Sequence, residues 1–272
     1  MRVLSVILLS AALAAEPATA QSRPQPSLML TLYGGAAAGR DLWRVDHQLL
    51  THLGGQPEPD TVNLDRGVAS AVVLGSMFTL YGAGAWGASV DFDYRSVTLD
   101  DTCVPAAPFQ PDPAPPPETG DLERNRHLCD NIRALSNSGS AIGIAVAVSL
   151  RLASRAALSP YLRAGGRFTN MTISTIALEA EDGVSETPRL VINDPSPRRS
   201  TVGFLLAAGL TSAIGPGYQF RLEVRDHIHS IALVRGPANG IGEAPTGSKM
   251  FHHPSLVVAL DVVLEHRRGR RY

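Results

Sequence analysis

The chain has 272 residues, with 24 basic against 25 acidic side chains, a formal charge of −1 and 44% hydrophobic residues. A charge this close to zero offers no electrostatic footprint for nucleic-acid binding. The length excludes a minimal disulfide scaffold and suits one large domain or two small ones.

In chain order, the opening MRVLSVILLSAALAAEPATA carries one early charge at Arg2, an apolar stretch from Val3 to Ala15, and small residues at Ala18-Thr19-Ala20. This pattern predicts a secretory signal peptide over residues 1–20, removed after Ala20. The apolar run is too short for a membrane-spanning helix. No cysteine follows the cleavage site, which argues against a lipoprotein.

Residues 21–272 then alternate apolar and polar side chains with a period of two, the mark of strands with unlike faces. Eight strands are predicted: Ser27–Gly35, Ala69–Tyr81, Trp86–Leu99, Ser140–Ala153, Ser159–Leu178, Thr201–Ser212, Tyr218–Val234 and Ser255–His266. The uncharged run Gly67–Val90 is long enough for a transmembrane helix, but Gly82, Gly84 and Gly87 divide it into the two arms of a hairpin. Many of the strands exceed the five or six residues usual in globular proteins and match the nine to eleven needed to cross a bilayer at a tilt.

The connections sort by parity. Those after the second, fourth and sixth strands are short, reading GAGA, SRAAL and AIGPG. Those after the first, third, fifth and seventh are long: residues 36–68, 100–139, 179–200 and 235–254. Short–long alternation is the wiring of bacterial outer-membrane barrels, with tight periplasmic turns and extended outer loops. The second long loop holds PAAPFQPDPAPPPETG, a run that cannot enter a sheet. Cys103 and Cys129, the only cysteines, bracket it and in an exported chain are expected to form a disulfide. The loop carboxylates Asp46, Asp60, Asp65, Glu181, Asp182 and Asp194 fit no calcium-loop spacing and read as solvated charge, so no metal is expected.

Sorting by parity puts Leu, Val, Ile and Phe on one face of every strand. The other face carries Asp91, Asp93, Arg95, Arg151, Arg163, Arg167, Arg221, Glu223, Arg225, Asp261 and Glu265, diluted with Gly, Ala and Ser. Parity alone leaves two closed barrels open. A soluble lipocalin-type barrel points its apolar face inward; a membrane barrel points it at lipid. Three details favour the membrane: the continuous apolar face, the small residues suited to a narrow interior, and aromatics beside the short turns. The last are Tyr81, Trp86, Tyr161 and Tyr218, read as an interfacial girdle. Six arginines against five carboxylates predict a salt-bridged lumen and not an open pore, because buried charge must be paired.

The segments LTLYGGAAAG, PYLRAGGRF, GFLLAAGL and FRLEVRDHI resemble successive strands of the small OmpA-like outer-membrane β-barrel family. The resemblance spans nearly the whole mature chain as a pattern and not as one motif. It implies an eight-stranded barrel inserted by the outer-membrane assembly machinery, with family roles in envelope integrity, adhesion, host or phage contact and narrow solute passage. Two departures stand out. No peptidoglycan-binding segment follows the strands, so wall anchoring is not carried over. The last strand ends in LEHRRGRRY instead of an alternating aromatic finish.

Some barrels of this size modify lipids. His253 and Ser255 have His-x-Ser spacing, and His227 and His229 share one strand face at the outer mouth, while His252 and His253 read as loop residues. A serine nucleophile needs a base and an orienting acid within reach. Glu265 lies ten residues beyond Ser255, towards the opposite membrane face, so no enzyme and no cofactor are expected. The expectation is an all-β, eight-stranded antiparallel up-and-down transmembrane β-barrel in the outer membrane, with a structural or interaction role and a plugged lumen. Expected partners are outer-membrane lipid or lipopolysaccharide, the assembly machinery and an extracellular partner met through the loops; nucleic acid is not among them, and the chain is expected to be a monomer. The alternatives are a narrow solute channel, then a lipid-modifying or soluble ligand-binding barrel.

Overall fold

A computed structural model describes residues 27–51, 57–82, 84–106, 126, 128–132, 138–152, 158–180, 189–195, 197–238 and 243–264. The signal segment, Glu265 and most of the proline-rich run lie outside the described residues.

Among the described residues, alternating apolar and small or polar side chains make twelve strands, and eight of them close on themselves. These eight are β1 (Ser27–Ala37), β4 (Ala71–Tyr81), β5 (Trp86–Pro105), β6 (Ser138–Arg151), β7 (Leu158–Met171), β10 (Ser200–Gly215), β11 (Tyr218–Val234) and β12 (Thr246–Val263). Each pairs antiparallel with its neighbour in the chain, and β1 pairs with β12 to shut the ring, Met29 facing Val263 and Ala37 facing Ser255. The predicted eight-stranded up-and-down barrel is therefore the observed fold. Closure leaves none of the ring's strands with a free edge along its barrel-forming length.

One end of the barrel holds the short turns. The β10–β11 turn rests on Pro216-Gly217, with Gly217 at φ 82°, a left-handed conformation that a side chain would resist. The other end holds the long connections, and these fold. The first forms a hairpin, β2 (Arg40–Thr51) with β3 (Pro57–Val68), and β3 adds to the projecting part of β5 with Val62 opposite Pro105. The third forms the small hairpin β8 (Leu178–Ala180) with β9 (Arg189–Ile192). Residues 128–132 are helical and carry Cys129, which is bonded to Cys103 on β5. Together these pieces make a cap with its own apolar core, including Trp43, Val62, Leu64, Leu99, Ile132, Ile176, Ile192 and Phe251.

Three predicted boundaries shift by six residues or more, the first being the end of the third strand, expected at Leu99 and observed at Pro105. The fifth strand was expected to run to Leu178, but β7 ends at Met171 and the chain bends through residues 172–177 before β8. The last strand begins at Thr246, not Ser255, so His252 and His253 are strand residues and not loop residues. Pro254 lacks an N–H and reads as a break; here it pairs with Asp226, and its carbonyl accepts the N–H of Ala38 at 2.9 Å.

Which face turns inward is settled by the fold. Val146 is 62% exposed and Val202 76%, whereas Arg221 is 1% and Glu223 0% exposed. The charged face fills the barrel and the apolar face forms its outer wall. Small residues make room inside. Gly75 pairs with Tyr33 and Gly209 with Tyr161; a Cβ on either glycine would sit 2.4 or 2.6 Å from the tyrosine oxygen.

Candidate functional site

The lumen's chemistry follows from inward positions on β5, β7, β11 and β12. Strict alternation sends Asp91, Asp93 and Arg95 inward from β5, and Arg163 and Arg167 inward from β7. β11 supplies Arg221, Glu223 and Arg225, and β12 supplies Asp261. Register then decides who meets whom.

At the turn end, Arg221 grips Asp261 through Nη2–Oδ2 at 2.8 Å and Nε–Oδ1 at 3.0 Å, while Thr31 Oγ1 donates to the same carboxylate at 2.6 Å. In the middle, Glu223 accepts from Arg225 Nε and from Tyr161 Oη, with Arg163 at 3.6 Å and Arg221 at 3.8 Å. Asp91 accepts from Arg163 Nη2 at 2.6 Å and from Tyr33 Oη at 2.5 Å, and Arg225 Nη1 lies 3.3 Å away. Nearer the cap, Arg167 holds Asp93 by two nitrogens, Nη2–Oδ1 measuring 2.7 Å. Arg95 tops the stack, 3.4 Å from Asp93 and within reach of His227 Nε2 (3.1 Å) and His253 Nδ1 (3.3 Å).

Nine of the eleven predicted lumen residues thus stack in an ionic column, six of them linked from Asp261 to Asp91 and the other three, Arg167, Asp93 and Arg95, paired among themselves nearer the cap. Arg151 does not. It is half-buried at the turn end, its guanidinium 3.7 Å from the Tyr81 ring centroid and 3.1 Å from Met29 Sδ; among the described residues no carboxylate lies in ion-pair range of it. Its charge is met by a ring face and a thioether. Glu265 lies outside the described residues.

Sequence reasoning missed the tyrosines. Tyr81 and Tyr161, read as girdle residues, are 3% and 1% exposed and face the lumen; only Trp86 and Tyr218 stand on the outer wall. The signal was present in parity, since Tyr161 shares its face with Arg163 and Arg167. Proximity to a turn outweighed it. Tyr33 went unremarked for the same reason that its Gly75 partner did, because neither is charged. The rings roof the guanidiniums: Arg225 lies 3.9 Å from the Tyr33 centroid and Arg221 4.8 Å from that of Tyr161, in cation–π range.

His253 and Ser255 both face inward, 7% and 4% exposed, so the His-x-Ser pair does not look onto the outer wall. The cap adds a buried ion pair of its own. Arg66 Nε and Nη2 meet Asp101 at 2.6 and 2.8 Å, Nη1 donates to the Ala177 carbonyl at 2.7 Å, and the guanidinium lies 5.3 Å from the Trp43 ring. Trp43 Nε1 donates to the Thr175 carbonyl at 2.8 Å, tying the β2–β3 hairpin to the segment after β7.

No family model and no curated protein sequence matches this chain. Among solved structures, Neisserial surface protein A is similar over 87% of this chain and 97% of its own, at 9% identity and a TM-score of 0.42. Outer membrane protein OprG from Pseudomonas aeruginosa is similar over 87% and 93%, at 11% identity and a TM-score of 0.42. Outer Membrane Protein W of E. coli is similar over 88% and 99%, at 12% identity and a TM-score of 0.40. Likeness at this level carries no functional argument.

Proposed function

We propose that this chain is an exported outer-membrane barrel with a structural or interaction role in the envelope, its lumen closed by the ionic column. One observation carries the reading: charged side chains fill the interior while Leu, Val, Ile and Phe cover the wall, the reverse of a soluble barrel. An apolar surface running around the whole barrel far exceeds the patches that monomeric soluble proteins expose. On this reading lipid covers the wall, the cap faces outward and offers the surface for an extracellular partner, and the outer-membrane assembly machinery inserts the barrel. The short turns then face the periplasm, together with Ser27 and Leu264, where Leu264 N–H donates to the Leu28 carbonyl at 2.8 Å.

A closed lumen is favoured over a narrow channel because each guanidinium of the column lies against a carboxylate or an aromatic ring, with an apolar cap above. The role is also proposed to be non-enzymatic, with His253 and Ser255 turned from lipid.

Two measurements test this together. Folded protein in detergent is expected to migrate differently on gels before and after boiling, as a closed barrel does. Planar bilayers containing the purified full chain are expected to show no steady openings. Recovery of the chain as a soluble periplasmic protein would end the membrane reading, and large sustained conductance would replace the plug with a channel.

A further inference from the structure

The apolar outer wall ends in a polar collar on the cap side. Past the last apolar position, the first polar side chain to point outward is Ser70 ahead of β4, Ser96 on β5, Ser140 on β6, Asn170 on β7 and Ser200 on β10. None of these carries a charge. On β11, on β12 and where β1 runs on into β2, the corresponding residues are Asp226, His252 and Arg40. Charge in this collar is thus confined to one side of the barrel.

There the charged groups are arranged. Asp226 Oδ2 lies 2.6 Å from His252 Nδ1, so the carboxylate accepts from Nδ1–H, and Nε2 is left without a partner among the described residues. The His252 ring is half exposed. Its carbonyl accepts from Arg40 Nη1 at 3.4 Å. Arg40 and Lys249, the chain's one lysine, line a single cleft with Asp41 and Met250. Among the described residues neither cation has a carboxylate in ion-pair range; Arg40 otherwise meets the Phe251 ring, 5.8 Å from its centroid. When Asp226 faces a protonated His252, Arg40 and Lys249 stand against Asp41 alone, one positive charge in excess.

Below these residues the wall is concave. A groove of about 540 Å³ runs from Asp226 towards Trp86, past Val224, Leu206, Ala208 and Ala164. The two alanines recess the wall between larger neighbours. The volume falls within the range of sites that hold small ligands. Asp226 is the one charged side chain that points outward along it, so an apolar trough leads up to a cationic rim.

We propose that this side of the barrel holds one anionic, phosphate-headed lipid. Its phosphate lies against Arg40, Lys249 and His252 Nε2, in charge-assisted hydrogen bonds, and one acyl chain follows the groove. The excess positive charge selects the head group; the recessed wall receives the chain. The proposal rests on the membrane reading and names the lipid that its cap-side rim selects.

Native mass spectrometry of the full chain, released from detergent containing equal amounts of phosphatidylglycerol and phosphatidylcholine, tests it. The wild-type chain is expected to retain one phosphatidylglycerol with a preference of about fivefold, the effect of one surplus charge near a membrane surface. Arg40→Gln combined with Lys249→Gln should abolish that preference. Arg198→Gln combined with Arg199→Gln, exposed ahead of β10, should keep it. Asp41→Asn should raise it by a similar factor, and this variant serves if the Arg40/Lys249 pair does not fold. Equal retention of the two lipids, a preference that survives loss of Arg40 and Lys249, an unchanged preference in Asp41→Asn, or displacement of the lipid by excess inorganic phosphate overturns the proposal. Retention of neither lipid overturns the membrane reading with it.

Discussion

Val146 and Val202 separate a wall that meets lipid from one that meets water. Both point outward and both are widely accessible, 62% and 76% exposed, so a soluble barrel would treat arginine at the two sites alike. Surface substitutions in water usually fall within about ±0.5 kcal/mol. In a bilayer, depth decides. On β6 the outward apolar positions run from Ile142 to Leu152, and Val146 lies four residues inside the cap-side edge. At about 3.4 Å per residue and a tilt near 40°, that is about 10 Å below the edge of a band about 25 Å tall. Val146→Arg is therefore close to mid-plane and should cost about 2–4 kcal/mol, whereas Val202→Arg, at the band's cap-side margin on β10, should cost about 0–1 kcal/mol. Reversible denaturant titration of the barrel folded into phosphatidylcholine vesicles, followed by tryptophan emission and heat-modifiable migration, measures both. Equal small effects, or a larger loss at Val202, would falsify the assignment of the apolar face to lipid.

Four further outcomes follow from the interior and the cap. Glu223→Gln removes the charge that Arg225, Arg163 and Arg221 surround; the same titration should show a loss of about 3–5 kcal/mol, as expected when a buried pair is broken. Asp46→Asn, in an exposed pair with Arg44 at 3.0 Å, should show no measurable loss; a similar loss in both variants would mean that burial of the column does not matter. Gly209→Ala places a methyl 2.6 Å from Tyr161 Oη and 2.5 Å from the Leu222 carbonyl, and should cost about 1–3 kcal/mol by overpacking; a neutral result would show that the glycine niche is not needed. Replacing Cys103 and Cys129 together by serine opens a bridge across 26 positions and should cost the cap about 3–4 kcal/mol. Limited proteolysis should then cut between those positions faster while the barrel's own unfolding midpoint stays put; a matching fall of the barrel midpoint would show that cap and barrel unfold together.

Much of this architecture is legible along the chain because alternation is a local property. A period of two depends only on neighbouring residues, so the eight strands, the contents of each face and the sorting of loops into short and long all follow from reading the sequence. The charged set was legible for the same reason, as Arg221, Glu223 and Arg225 fall on one face wherever that face points. Parity also carried the fate of Tyr81 and Tyr161, although their nearness to the turns suggested a girdle.

Tertiary structure decided everything that depends on register and closure. Only the closed ring shows that the charged face is the inner one, since both kinds of barrel alternate identically. Only cross-strand register brings Arg163 to Asp91 and Arg167 to Asp93 and leaves Arg151 to the Tyr81 ring, because partners in a barrel are distant in sequence. The cap was hidden for a related reason: β2 and β3 pair with each other and with a projecting β5, so residues 36–68 looked like an open loop until their partner was in place. Alternation tells each side chain which way to face; the shear of the closed sheet tells it whom to meet.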